Sequence, residues 1–195
     1  MNPRIWTDRG TARFLATLDR LTDDELSAST RLDGWTRRHV VAHVHGNAEA
    51  LRRLLSWAAT GVENRMYAGP EQRSAEIEEL SALPAGELRA LVHRSASRLG
   101  ADMDALPEDA WDIPVVTAQG RTVPAAEISW MRAREVWVHT VDLDAGVTFA
   151  DLPDDLNAAL VVDAASKQAN KGNAARLAEW LTGRTANAPE LTPWL

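Results

Sequence analysis

The sequence predicts a mainly α-helical protein whose core is a four-helix bundle. Apolar residues recur every three or four positions along four long stretches, which is the period of an amphipathic helix. A strand-like pattern is confined to the short stretch "WDIPVVTAQGRTVPA". The chain has 195 residues, of which 45% are hydrophobic, enough for one core of ordinary size.

The four long helices are delimited by residues typical of helix ends. We expect them over residues 11–21, 36–61, 85–106 and 124–146. Thr36 suits the N-cap of the second helix and Gly61 its end. Pro124 suits the first turn of the fourth helix, which Gly146 ends. Short connections between such helices are typical of a four-helix bundle.

The remaining segments are a hairpin and two shorter helices. Gln119 and Gly120 lie between β-branched residues, and this pattern predicts a short β-hairpin. Shorter helices are expected over residues 153–170 and 174–181. The sequence therefore predicts two domains, a bundle over residues 1–150 and a C-terminal helical segment over residues 151–195.

Composition excludes several classes of function. The net charge of -7 and the pI of about 5.2 argue against a nucleic-acid partner, which requires a basic face. No signal peptide and no apolar run long enough for a membrane span are evident, so we expect a cytoplasmic protein without membrane contact. The chain has no cysteine, so any thiol chemistry must use a thiol supplied from outside. The residues do not indicate an oligomeric state.

Two stretches place titratable side chains on core-facing helix stripes. Helical spacing pairs His39 with His43 in the second helix, whereas His45 points away; in the fourth helix it pairs Glu135 with His139. Burying such groups without a partner costs several kcal/mol each. One divalent metal between the helices would bind all of them. The alternatives are a hydrogen-bonded core histidine and a simple helix-face pair. Spacing leaves open whether His39 or His43 is the ligand.

Several motifs carry a family resemblance. The stretches "GWTRRHVVAHVHGNAEAL", "TAQGRTVPAAE", "WMRAREVWVHTVDL" and "LAEWLTGR…PWL" resemble the mycothiol-dependent maleylpyruvate isomerases, which belong to the DinB-like metal-binding superfamily. The resemblance covers residues 11–155 and resumes over residues 176–195. It implies a DinB-like four-helix bundle that holds zinc, or another divalent metal, through His43, Glu135 and His139. It therefore selects His43 over His39.

The resemblance also implies a substrate and a reaction. Mycothiol adds to the cis double bond of maleylpyruvate, the bond rotates, and loss of the thiol leaves fumarylpyruvate. The family's substrate-anchoring arginine corresponds to Arg184, which would act as a catalytic and substrate-binding residue. The family usually has a longer α/β portion before this motif, where this chain has only "ASKQANKGNAAR", so the C-terminal segment is shortened. At the hairpin tip, Gln119 and Arg121 could contact a substrate carboxylate, and Tyr67 could lie near the cleft.

Three other functions fit the same residues. A mycothiol S-transferase of this fold would keep the thiol adduct instead of expelling it. A metal-dependent hydrolase of the DinB-like group would need no thiol. A non-enzymatic bundle would serve binding or structure and would keep the metal site only as a vestige. The isomerase is preferred because "TAQGRTVPA" and "REVWVHTVDL" resemble that group in particular.

Overall fold

Seven α-helices and one β-hairpin follow one another along residues 3–192, the part of the chain that the computed structural model describes. They are α1 (Pro3–Asp19), α2 (Arg37–Thr60), α3 (Pro70–Ser81), α4 (Ala85–Ala105), β1 (Pro114–Val116), β2 (Thr122–Pro124), α5 (Glu127–Asp142), α6 (Asp154–Gln168) and α7 (Ala174–Leu181). The predicted mainly α-helical fold is confirmed.

The four-helix bundle consists of α1, α2, α4 and α5. Helix α1 packs along α5, while α2 packs against α4, α5 and the shorter α3. Each bundle helix buries large apolar side chains: Phe14, Leu18, Leu51, Leu54, Leu88 and Ile128. Each such side chain contributes roughly 1.5–3 kcal/mol when it leaves water. The sequence prediction of a bundle is confirmed, and α2 packs against both α4 and α5.

Helix α1 begins at Pro3, eight residues before the predicted start at residue 11. Its extra turns pack on α5 through small and aromatic residues instead of an aliphatic stripe. The indole Nε1 of Trp137 donates to the carbonyl oxygen of Trp6 at 2.8 Å. Gly10 lies so close to α5 that a Cβ atom there would approach Trp137 Nε1 to 2.6 Å. The sequence analysis missed the early start because it relied on the spacing of apolar residues, and the contact of Gly10 with α5 leaves no such spacing.

The sequence did not predict α3 as a helix. It begins with Pro70 in its first turn and buries only Ile77 and Ser81. Because so little of this helix faces the core, its apolar pattern is too weak to stand out. Helix α3 nevertheless packs on α2, the helix that carries the histidine-rich stretch.

The predicted hairpin is confirmed, and it changes where α5 begins. Val115 pairs with Val123 in an antiparallel register, and Gly120 has the positive φ of 75° that the turn requires. Pro124 pairs in β2 and is not in the first turn of the helix, so that prediction was wrong. The backbone N–H of Ala125 still donates to the Ile113 carbonyl at 2.9 Å, which keeps the chain extended until α5 starts at Glu127.

The chain divides into two compact units, Met1–Val147 and Thr148–Leu195. In the second unit, a kink at Gly172, with φ of 94°, separates α6 from α7. Gln168 donates to the Thr192 carbonyl at 2.6 Å and so ties the end of α6 to the following chain. The domain boundary after residue 150 stays a prediction, and the "PWL" end of the last motif lies outside the described residues. No helix among residues 3–192 is long and apolar enough to cross a membrane.

Candidate metal centre

Three titratable side chains from two helices meet in the interior of the bundle. His43 comes from α2, while Glu135 and His139 come from successive turns of α5. Their potential ligand atoms all lie within 4.8 Å of one another. All three residues are buried, with at most 8% of their surface exposed. The structure therefore brings together the three residues that the sequence selected.

The contacts inside this cluster converge on one carboxylate oxygen. His43 Nε2 lies 2.8 Å from Glu135 Oε2, and His139 Nε2 lies 3.3 Å from the same oxygen. Among the described residues, His139 Nε2 makes no hydrogen bond although it is buried. A buried nitrogen without a partner is costly, and a metal ion among these three side chains would supply one. The donor set of two imidazoles and a carboxylate thus fits a divalent metal.

Asp142 orients one of the imidazoles. Its Oδ2 lies 2.8 Å from His139 Nδ1, at the last residue of α5. A carboxylate can only accept, so Nδ1 carries the proton and Nε2 is directed towards the cluster. The sequence analysis missed this residue, although its position three residues after His139 places it on the same helix face.

The electrostatics of the cluster favour a charged carboxylate. Burial opposes the charge on Glu135, but the neighbouring imidazoles of His139 and His43 outweigh it and hold its pKa well below the usual value. Burial also disfavours the charged form of His139, yet the Asp142 and Glu135 carboxylates raise its pKa to about 9. Burial lowers the pKa of His43. Without metal, the Glu135 carboxylate and the His139 imidazole therefore each favour the charged form of the other.

A buried arginine stands one turn before the carboxylate. Arg132 is 1% exposed, and its Nη1 donates to the Val44 carbonyl at 2.8 Å and to Asn47 Oδ1 at 2.9 Å. Burial lowers its pKa to about 10. Its positive charge lies on the same helix as Glu135 and favours the ionised carboxylate. Its position four residues after Ile128 and three before Glu135 places it on the core-facing stripe of α5, a signal that the sequence analysis did not use.

A narrow crevice opens beside the cluster between α2 and α3. His43 and Gly46 line it from α2, and Tyr67 and Arg73 line it from the connecting loop and α3. Arg73 Nη2 lies 3.2 Å from His43 Nδ1, the ring nitrogen that faces away from Glu135. Tyr67 was considered near the cleft from sequence, whereas Arg73 was missed because α3 was not recognised.

The other predicted residues lie elsewhere. His39 Nδ1 bonds to Thr36 Oγ1 at 2.7 Å, so this histidine caps α2. Gln119 and Arg121 are exposed at the hairpin tip. Arg184 is exposed in the second unit, where it donates to the Thr182 carbonyl. The substrate-binding roles of these last three residues stay predictions.

Fold and cluster together define a class of protein: a helical bundle with a buried site of two histidines and one carboxylate that could hold a divalent metal. The family described as "Mycothiol maleylpyruvate isomerase N-terminal domain" matches residues 7–144. The chain belongs to this family.

Two solved structures are similar to the chain. One is described as the crystal structure of the mycothiol-dependent maleylpyruvate isomerase, and the other is a histidine-to-alanine mutant of that enzyme. Each is 43% identical, with a TM-score of 0.81, over 85% of this chain and 68% of the other chain. No curated protein sequence matches the chain. The match confirms the predicted DinB-like bundle.

Proposed function

We propose that this chain is a mycothiol-dependent cis–trans isomerase that converts maleylpyruvate to fumarylpyruvate. Its family and a relative that is 43% identical both carry that activity in their descriptions. The observation that carries the proposal is the buried cluster of His43, Glu135 and His139 inside the matched domain. The acidic net charge supports the absence of a nucleic-acid partner, and the cytoplasmic location belongs to the same proposal.

The metal in this proposal is zinc, held by His43, Glu135 and His139. Three nitrogen and oxygen ligands leave a position open, as catalytic zinc sites do, although other first-row metals also accept this donor set. When bound, the ion supplies a Lewis acid for the thiol or for a substrate oxygen. Asp142 holds His139 in the ligating orientation, and the Trp35 ring packs 5.7 Å from the His43 ring.

The nucleophile in this proposal is mycothiol because the chain has no cysteine of its own. When bound, the thiol supplies a sulfur nucleophile whose reversible addition turns the double bond into a single bond that can rotate. The protein's part is to hold the substrate beside the cluster. Arg184, Gln119 and Arg121 are proposed contacts for substrate carboxylates. For the hairpin pair, support comes from the Ala118 backbone N–H, which contacts Met66 Sδ at 3.2 Å next to Tyr67.

One experiment tests the metal and the reaction together. Purified protein is analysed for metal, and maleylpyruvate is followed by ultraviolet absorbance with and without mycothiol. His43→Ala should lose bound metal and activity together. His93→Ala is the control because His93 pairs with Asp19 on the surface, and it should retain both.

The other outcomes identify the alternative functions. A thioether that accumulates with mycothiol, without fumarylpyruvate, would indicate an S-transferase. Turnover with no added thiol would indicate a hydrolase. Metal-free protein of unchanged stability and no activity would indicate a structural or binding bundle.

A further inference from the structure

Arg73 is a cation beside the metal cluster that has no acidic partner. Its guanidinium contacts His43 Nδ1 at 3.2 Å, and the side chain is half-buried. Among residues 3–192, no carboxylate oxygen lies within 4.0 Å of the Arg73 guanidinium, the distance that an ion pair requires. Arginine remains charged at any ordinary pH, so its positive charge stands uncompensated at the edge of the site.

Metal binding would end the contact that Arg73 makes with His43. A neutral imidazole carries one N–H, and the nitrogen that binds a metal must offer its lone pair. Since Nε2 faces Glu135, ligation through Nε2 puts the proton on Nδ1. Arg73 can only donate, and a donor cannot bond to Nδ1–H. The guanidinium must then find another acceptor within its reach.

The crevice next to Arg73 is narrow, with a volume of about 10 Å³, and donors for such an acceptor line it. Ile77 and Leu80 form an apolar wall, and burial raises the pKa of Tyr67, so its hydroxyl remains a neutral donor. Gly46 forms part of the floor, where an added Cβ atom would meet nothing within 4 Å. The acid of this crevice, Glu76, accepts a hydrogen bond from Gln72 at 2.7 Å.

We propose that Arg73 binds a carboxylate of the substrate at the edge of this crevice, beside the cluster of candidate metal ligands. The inference rests on the proposed function, whose substrate maleylpyruvate is a dicarboxylate. A guanidinium binds a carboxylate through two parallel hydrogen bonds, and these fix both the position and the orientation of the carboxylate. Tyr67 lines the same crevice and supplies a further donor. Arg73 then orients the substrate from α3, within the same compact unit as the cluster.

The kinetic test compares Arg73→Met and Arg73→Lys with the wild type. Arg73→Met should raise KM for maleylpyruvate by about 10- to 100-fold, the usual cost of a lost charged hydrogen bond. Arg73→Lys should rescue only part of this loss because an ammonium lacks the planar fork. KM for mycothiol and the metal content should not change. Arg65→Met is the control, since Arg65 is exposed and paired with Glu63.

A second variant tests the crevice without removing the charge. Gly46→Leu should place its side chain in the open space beside His43 and raise KM for maleylpyruvate in the same way. It also keeps the inference testable if Arg73→Met fails to fold. Unchanged KM for maleylpyruvate in Gly46→Leu and in Arg73→Met would overturn the inference. A rise in KM for mycothiol alone would overturn it too, since Arg73 would then serve the thiol.

A binding measurement separates this inference from the proposed function. Maleate, a cis-dicarboxylate, is titrated into zinc-loaded protein without thiol and followed by calorimetry. The wild type and Arg65→Met should bind it, and Arg73→Met should bind it at least about tenfold more weakly. If the wild type binds maleate through Arg73 but does not isomerise maleylpyruvate, the proposed function fails and the inference stands. If Arg73→Met binds maleate as tightly as the wild type, or if the wild type does not bind it, the inference fails.

Discussion

At the scale of single residues, the cluster depends on side chains that bind no metal themselves. His139 could present either ring nitrogen to an ion, and its contact with Asp142 at 2.8 Å decides which one is directed inwards. The same contact makes the imidazole more basic and therefore a better ligand. The half-buried Asp142 thus matters to the site although it lies outside the group of three.

We predict that Asp142→Asn lowers metal affinity by about 10- to 100-fold, as the loss of such an orienting carboxylate usually does. An amide can present its NH₂ group to Nδ1 and so no longer enforces one tautomer. Affinity is measured by competition with a chelator of known strength. Asp144→Asn is the matched control, because Asp144 is exposed and pairs with Arg31. Equal affinities in the two variants would contradict the role given to Asp142.

At the scale of elements, the position of α5 depends on a close approach by α1. Thr7 donates to the Ser129 carbonyl at 2.6 Å, and Trp137 donates to the Trp6 carbonyl at 2.8 Å, so the two helices are joined in both directions. Gly10 lies at the point of closest contact. Since α5 carries two of the three cluster residues, this contact also holds most of the candidate metal site in place.

We predict that Gly10→Ala destabilises the protein although alanine is the better helix former. The new methyl group would lie 2.6 Å from Val136 Cγ2 and from Trp137 Nε1, and the indole is anchored by its hydrogen bond. Overpacking of this kind costs about 1–3 kcal/mol. Gly100→Ala in α4 is the control: nothing lies within 4 Å of its Cβ position, so it should stabilise by up to about 1 kcal/mol. Urea denaturation of both variants measures the difference, and equal effects would contradict the close contact.

Elements with a strong apolar period were predictable from sequence, and those held by other contacts were not. Helix α2 begins after Thr36 and ends before Gly61 as expected, because its caps and its stripe agree. Helix α3 buries only two residues and gave no such signal. The same limit applies within the site. Ligand candidates follow from helical spacing, but the contact of Arg73 with His43 depends on how α3 packs on α2, which spacing alone does not describe.

At the scale of the whole molecule, an acidic protein carries a locally cationic site. The net charge is -7, which disfavours the approach of a dianionic substrate at long range. Within the bundle, Arg132 and Arg73 lie close to the cluster, and a divalent ion would add further positive charge. Short-range interactions in a dry site are stronger than screened surface charge, so the local field decides binding.

The last prediction is that turnover needs a thiol from outside the protein. The chain has no cysteine, and its hydroxyl, amine and carboxylate groups are weaker conjugate nucleophiles than a thiolate near neutral pH. The rate with zinc-loaded protein and maleylpyruvate alone should be close to zero and should rise with mycothiol to saturation. Simple thiols should substitute poorly, because binding of the rest of the cofactor is what holds the sulfur in a reactive position. The control is His43→Ala, which should stay inactive at every mycothiol concentration. Full activity in thiol-free buffer would exclude this mechanism even if metal analysis finds zinc in the wild type and none in His43→Ala.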